Sequence, residues 1–469
     1  MVRRFRWPVV LVLLAVAACG CRSAAPRPDG SHPPLARPCP EEAPAPPALP
    51  FSHPLHSLLD FWLGRTASPR AVLLDAAAIE RHNRRVQALH EHGWPVGQWD
   101  LDELRLDGAR VRPRLRARLD QFREAMAKGQ RVLLRGEPAQ SMLTELEQRM
   151  AQVQLVDERR AVHRSQALRC FPTDEGVYEK AWQQPFDLNQ CAQLRVGELV
   201  RVAGRIDGYL YVWSTYADGW VKPEALTPPL SSDDGRRLSH PDRFVVVQVD
   251  RLPLWADKDR NALLTQVRLG ARLPLLEEEE GALRVMVPAP GGLRPAWVAQ
   301  PDAVSVGYPP LTRAALLTRA FALLNAPYGW GGLGENRDCS RMMMDLFAAF
   351  GVRLPRNTWH QSQAGVRGVD VGRLPEEAKA TAIEDAAKRG LVLLHMPGHI
   401  MLYLGRDGEH LYALHQFSGY LVPCAKGGET MVRVNRTVVT ALDLGLGSTR
   451  RSFLQRISRL IIFEREGAP

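Results

Sequence analysis

From Phe51 to about Ala161, apolar residues recur at helical spacing between many charges. "SPRAVLLDAAAIERHNRRVQALHEHG" places Leu74, Ala77, Ile79 and Leu89 in that rhythm, and "VRPRLRARLDQFREAMAKG" repeats it and stops at a glycine, a helix C-terminal signal. The pattern predicts a helical stabilising domain over 51–161, with His82, His90 and His92 as solvated helix-face residues and no chemistry. Near Val162 the period shortens to that of strands. "YLYVWS" alternates, and Asp207-Gly208 and Asp218-Gly219 supply turns, which predicts a small antiparallel barrel over 162–229. A similar succession of strand, turn and closing tryptophan strand follows over 240–306, so the two segments read as divergent copies of one module. The block 309–469 opens on the helical "LTRAALLTRAFALLNAP" and closes on the strands "LVLLHM", "HIMLYLG" and "HLYALHQF". Between them Met343, Leu346, Phe347 and Phe350 give one apolar helical face that ends before Gly351. The fold class expected is α+β and multi-domain, in keeping with 469 residues at roughly 100–200 per domain.

The amino end changes this picture. "MVRRFRWPVVLVLLAVAACGCRS" has three arginines, an apolar run from Val9 to Ala18 and small residues before a cysteine, the layout of a signal peptide over 1–18. The run is about half the ~20 residues that span a bilayer, which argues against a transmembrane anchor. "VAAC" resembles a bacterial lipobox, which makes Cys19 the lipid attachment point, with Cys21 a poorer second. Export to the periplasm-facing membrane surface of the cell envelope follows. Residues 19–50 then form a tether, so rich in proline that no regular element is expected. A net charge of +10 suits anionic surfaces such as murein, teichoic acid or lipid head groups. Clustered Lys/Arg with interleaved aromatics is absent from the sequence, so no nucleic acid partner is expected.

Seven cysteines stand at 19, 21, 39, 170, 191, 339 and 424, without a CxxC pair or zinc spacing. No metal and no cofactor are expected. Cys170 and Cys191 are the only two confined to one small domain, and an exported protein permits a bridge between them. Cys339 is different. Asp338 is a plausible N-cap for the helix that follows, which sets Cys339 in its first turn, where free N–H groups and the helix dipole favour a thiolate. Farther on, the turn "GRDG" joins two strands in a hairpin, and a centre near Asp407 makes His399 and His415 cross-strand partners, with Cβ atoms about 4.5–5.5 Å apart. A slip by one pair still leaves both rings on one face. A thiol at a helix start with two imidazoles on a nearby sheet is the layout of a papain-like nucleophile: Cys339 attacks a carbonyl, His399 moves the proton, His415 holds His399, and the Cys339 N–H helps hold the oxyanion.

The phrases "YGWGG", "RDCS", "LPRNTWHQSQ", "PGHIMLYLG" and "ALHQFSGY" resemble the NlpC-type cysteine peptidases of bacterial cell walls. The order of helical segment, two barrels and peptidase is similar to multi-domain murein endopeptidases of that group, whose barrels are bacterial SH3-like domains. The resemblance implies a papain-like catalytic domain over 309–469 and cleavage between γ-D-glutamate and a diamino acid in murein stem peptides. It implies that Cys339, His399 and His415 form the triad, that the Tyr328 hydroxyl lies near the oxyanion, and that Asp338 and Ser340 help hold the free amine of an N-terminal L-Ala. Tyr216 in the first barrel is the tyrosine expected to close one end of the cleft. Arg341 and the three methionines after it depart from the family's usual continuation of the nucleophile helix. Two alternatives stand beside the peptidase: a non-catalytic wall-binding lipoprotein, and an amide or acyl transferase on the same core.

Overall fold

The computed structural model describes residues 39–465 except 105, 182, 183 and 426, so the signal-peptide and Cys19 readings lie outside the described residues. Three large sheets organise the chain. The carboxy-terminal one runs in the order Glu42–Pro44, Glu429–Ala441, His410–Pro423, His399–Asp407, Gly390–Met396, Arg459–Glu464 and Arg367–Asp370. Its strand Gly390–Met396 is buried at every residue, and the helix Cys339–Ala348 packs against the strands His399–Asp407 and His410–Pro423 beyond it. The architecture is mixed α and β, with six strands within 154–221 and seven within 244–306 forming the other two sheets.

Part of the proline-rich segment has regular structure, contrary to the expectation of none. Glu42–Pro44 adds to the edge of the carboxy-terminal sheet as a parallel strand, with Glu42 opposite Met431 and Pro44 opposite Arg433. An edge strand needs N–H groups on one side only, which is why proline is tolerated there. The Met431 and Ala45 N–H groups supply the ladder, to the Glu41 and Arg433 carbonyls. A disulfide between Cys39 and Cys424 fastens the start of this strand to the same edge.

The helices of 51–161 do not share one core. Trp62 is fully buried, donates to the His56 carbonyl at 2.9 Å and lies against Tyr412, with ring centroids 5.5 Å apart. Leu74, Ala78 and Val86 join it in the core of the carboxy-terminal domain, and Val72–Leu74 pairs with Leu311–Thr312. The helices Gly108–Ala127 and Gln140–Ala151 instead turn Val111, Leu115, Phe122, Leu143 and Leu146 onto Tyr211, Trp213 and Trp220 of the first all-β unit. His82 is not the solvated residue its charged neighbours suggest. It is fully buried with Nε2 2.9 Å from the Arg353 carbonyl oxygen, and burial lowers its pKa to about 4.

Where the all-β units meet the carboxy-terminal domain, one carboxylate gathers three guanidinium groups. Asp345, on the helix that carries Cys339, accepts from Arg195 at 2.5 Å, Arg337 at 2.6 Å and Arg341 at 2.8 Å, and Arg337 also reaches Asp250 of the second unit at 2.6 Å. The "YGWGG" phrase serves the same junction. Gly331 and Gly332 adopt φ of 60° and 91°, and a Cβ on either would stand 2.6 or 2.7 Å from Gln190 or Gln193. Only glycine lets this turn lie on the strand Gln190–Leu194.

Candidate active site

Asp338 caps the helix Cys339–Ala348, its side chain accepting the Arg341 N–H at 2.8 Å. Cys339 is therefore the first helical residue, so its N–H has no acceptor within the helix. It is the free cysteine among the described residues and is 7% exposed. The helix start does not win over its surroundings. Burial, then the negative Asp338, push the thiol up to about 12, against weaker help from the Ile400 and Ser340 backbone N–H groups. The expected resting thiolate is thus replaced by a neutral thiol.

The Ile400 contact sets the sulfur beside the start of His399–Asp407, and Cys339 and His399 line one cleft of about 630 Å³. His399 Nε2 lies 2.7 Å from His415 Nδ1, and His415 Nε2 lies 2.9 Å from Thr440 Oγ1. With Nε2 engaged, Nδ1 of His399 is the ring nitrogen left for the thiol. The His415 ring stacks on Phe417, with centroids 4.3 Å apart and planes at 6°, and Phe453 meets it edge-on. Burial, Arg456 and His395 lower the pKa of His399 to about 3; burial and then His399 hold His415 well below the usual histidine range. Thiol and imidazole are both uncharged at rest.

The two histidines meet by a different register from the one expected. The ladder pairs Asp407 with His410 and Arg406 with Leu411, so the turn is Gly408-Glu409 rather than centred on Asp407. Continued unbroken, that odd register would place His399 and His415 on opposite faces. An irregularity at Leu404 absorbs one residue, and beyond it Tyr403 pairs with Ala413 and Leu402 with Leu414. The bulge restores the common face.

Asp338 has more partners than the cap requires. Arg356 approaches it at 2.6 Å and 3.1 Å and also donates to Ser340 Oγ at 2.8 Å, while Ser340 donates to Asp338 at 3.0 Å. Asp338 and Ser340 do line the cleft, as expected, but the charge of Asp338 is met within the protein by Arg356, which the reading of single motifs misses. Its place in "LPRNTWHQ", where Asn357 caps the next short helix and Gln361 holds the Ser340 carbonyl, is the signal that could have found it. Tyr328 lines the cleft too; burial and the nearby Cys339 and Asp338 push its hydroxyl far above the ordinary range, so it is a neutral donor.

Tyr216 is elsewhere. Its hydroxyl donates to Glu198 at 2.8 Å and lies 3.0 Å from Arg341 Nη1, beside a separate cavity of about 240 Å³. The family departure at Arg341 is thereby explained, since its side chain joins Asp345, Glu198 and Tyr216 across the junction. The first β unit reaches the cleft through another segment, from which Glu179, Phe186, Leu188, Gln190 and Cys191 line it. Cys170 and Cys191 are bridged, and Trp330 donates to the Asp187 carbonyl at 2.9 Å, which ties this segment to the "YGWGG" turn.

Residues 325–432 match the model of the NlpC/P60 family. Over 200 residues the chain is 27% identical to a gamma-D-glutamyl-L-lysine dipeptidyl-peptidase of Bacillus cereus, covering 42% of this chain and 56% of that protein. The match thus spans little more than half of the relative's length. In fold the chain is similar to an NlpC/P60 endopeptidase from Photobacterium damselae subsp. piscicida, with a TM-score of 0.68 at 16% identity over 86% of this chain and 97% of that one. An NlpC/P60 family protein from Bacillus cereus aligns over 65% of this chain and 99% of its own, at 17% identity and a TM-score of 0.44.

Proposed function

We propose that this chain, whose carboxy-terminal domain is an NlpC/P60 domain, is a murein peptide endopeptidase that hydrolyses the bond between γ-D-glutamate and a diamino acid. The observation that carries the reading is the run of Cys339, His399, His415 and Thr440 from one open cleft into the core. An uncharged thiol and an uncharged base make a workable pair when the proton moves as the bond forms. Cys339 Sγ attacks the γ-carbonyl carbon and its proton passes to His399 Nδ1. The oxyanion is met by the Cys339 N–H and the Tyr328 hydroxyl. His399 returns the proton to the departing amine, which leaves a thioester. Water, deprotonated by His399, then releases the glutamyl carboxylate and restores the thiol.

The sheets within 154–221 and 244–306 act as SH3-like modules that hold the peptide, and acylated Cys19 anchors the exported protein to the membrane of the cell envelope. Substrates with a free N-terminal L-Ala are preferred; the support for this is that the disulfide-bridged segment of the first β unit lines the cleft and narrows the room for a longer chain. With Asp338 paired to Arg356, it is this wall rather than a lone carboxylate that supports the preference. The test is mass analysis of purified muropeptides after incubation with the protein, with free and N-acetylated L-Ala ends side by side. Faster cleavage of the free peptide is expected. Equal rates would mean a cleft open at both ends and a role in remodelling intact wall, and no cleavage of either would remove the peptidase reading.

A further inference from the structure

The cavity of about 240 Å³ beside Tyr216 is not part of the substrate cleft, and it lies where the units of the chain meet. Asp100 reaches it from the segment before the first β unit, Glu198 from that unit, Arg268 and Arg272 from the second, and Asp345 and Arg353 from the carboxy-terminal domain. The exposed His240 lines it too, so it opens to solvent. With Arg195 and Arg341 added, five arginines face three carboxylates, an excess of two positive charges.

The carboxylates are already taken. Asp345 is shared by Arg195, Arg337 and Arg341, Glu198 by Tyr216 and Arg341, and Asp100 lies 3.2 Å from His240. The other three arginines are left short. The Arg353 side chain has no hydrogen bond or ion pair among the described residues. The Arg272 guanidinium donates to the Ser239 carbonyl and lies over the Phe244 ring, with no carboxylate. Arg268 is 4% exposed and donates from Nη2 to the Glu335 carbonyl at 2.8 Å, while its Nε and Nη1 are buried without a hydrogen-bond partner. The carboxylate within its reach, Asp250 at 3.5 Å, is held more closely by Arg337 at 2.6 Å. The like charges act on one another: burial and then Arg337 lower the pKa of Arg268 to about 10, and burial and then Arg341 do the same to Arg195.

A buried guanidinium N–H without an acceptor is destabilising, and an anion with several oxygens meets several such donors at once. The excess of two charges matches a dianion, and the volume of the cavity limits it to a small one. We propose that this cavity binds a phosphate group, free or as a monoester, through Arg268, Arg272 and Arg353, and that the bound group ties the second β unit to the domain that carries the nucleophile helix. The inference is independent of the peptidase reading, because none of the three arginines lines the substrate cleft.

The experiment titrates the full chain with inorganic phosphate and, separately, with glycerol 3-phosphate, by calorimetry in a phosphate-free buffer whose ionic strength is held with sodium chloride. One phosphate per chain should bind, with Kd below about 1 mM. Arg353→Gln, which removes no hydrogen bond, should weaken binding severalfold, and Arg272→Gln/Arg353→Gln at least about tenfold. Phosphate at about 100 times Kd should raise the wild-type melting temperature by a few degrees and that of the double variant by less than about 1 °C. Arg450→Gln/Arg456→Gln, which alters arginines of the substrate cleft instead, should bind as the wild type does. Binding of both ligands supports a site that takes monoesters; binding of inorganic phosphate alone supports one for the free ion. No saturable binding of either up to about 10 mM, binding that survives Arg272→Gln/Arg353→Gln, or binding lost only with Arg450 and Arg456 would overturn the site.

Discussion

Thr440 should matter to catalysis although it lies two side chains away from the thiol. His399 can accept a proton at Nδ1 only if it carries its own proton on Nε2 and donates it to His415 Nδ1, 2.7 Å away. His415 must then carry its proton on Nε2 and donate it to Thr440 Oγ1, 2.9 Å away. Thr440→Val keeps the shape and removes that acceptor. Because His415 and Thr440 are both fully buried, water does not replace the missing bond, and an unpaired buried donor costs about 1–3 kcal/mol. The pair escapes this cost by reversing its tautomers, which protonates His399 at Nδ1 and disables the base. The expected result is a loss in kcat of about 5- to 150-fold at nearly unchanged KM. Thr440→Ser should recover most of it. Steady-state kinetics on the tripeptide, with the 15N shifts of the two rings read by NMR, separates this from simple unfolding. A valine variant within twofold of wild type in kcat, or one that keeps the Nε2 proton on His399, would refute the argument.

Three other expectations follow from the same geometry. Asp345→Asn leaves Arg195, Arg337 and Arg341 crowded without their shared carboxylate, and should cost about 3–5 kcal/mol in urea unfolding followed by tryptophan fluorescence; less than about 1 kcal/mol would mean the junction contributes little. Because Cys339 has its pKa raised to about 12, its neutral form dominates at every pH below that, so the rate of alkylation by iodoacetamide should rise about tenfold per pH unit from 6 to 9; a plateau in that range would reveal a resting thiolate–imidazolium pair. Cys170→Ser/Cys191→Ser frees the segment that lines the cleft from the first β unit and should raise KM severalfold with a smaller change in kcat; unchanged KM would remove that segment from substrate binding.

What can be read from the chain is local. The cap at Asp338, the helix behind Cys339 and the even spacing of the two histidines each follow from a few neighbouring residues, and all are present. Where partners are distant, the sequence pattern misleads. The hairpin register differs from the one the turn suggests because the bulge at Leu404 leaves no mark in the alternation of apolar residues. The strand Glu42–Pro44 exists because the edge of Glu429–Ala441 accepts it, which local proline content does not reveal, and Cys39 finds Cys424 across a separation of 385 residues. Asp338 looks like a free charge in the sequence because Arg356 lies on another element. Tyr216 lies on the expected β unit, but its hydroxyl is taken by Glu198 and Arg341, and the wall of the cleft is a segment with few regular elements between Cys170 and Cys191. The thiol departs from the expected thiolate for a related reason: the helix start is visible in the sequence, whereas the burial that outweighs it comes from the whole fold.

The account stands most directly on one measurement: the masses produced from L-Ala-γ-D-Glu-meso-diaminopimelate by the wild type and by Cys339→Ala. The wild type should release free diaminopimelate and the L-Ala-D-Glu dipeptide. The variant, with its fold confirmed by an unchanged thermal melt, should leave the tripeptide whole. An intact tripeptide with the wild type, or release of diaminopimelate by the alanine variant, would contradict a cysteine endopeptidase built on Cys339, His399 and His415.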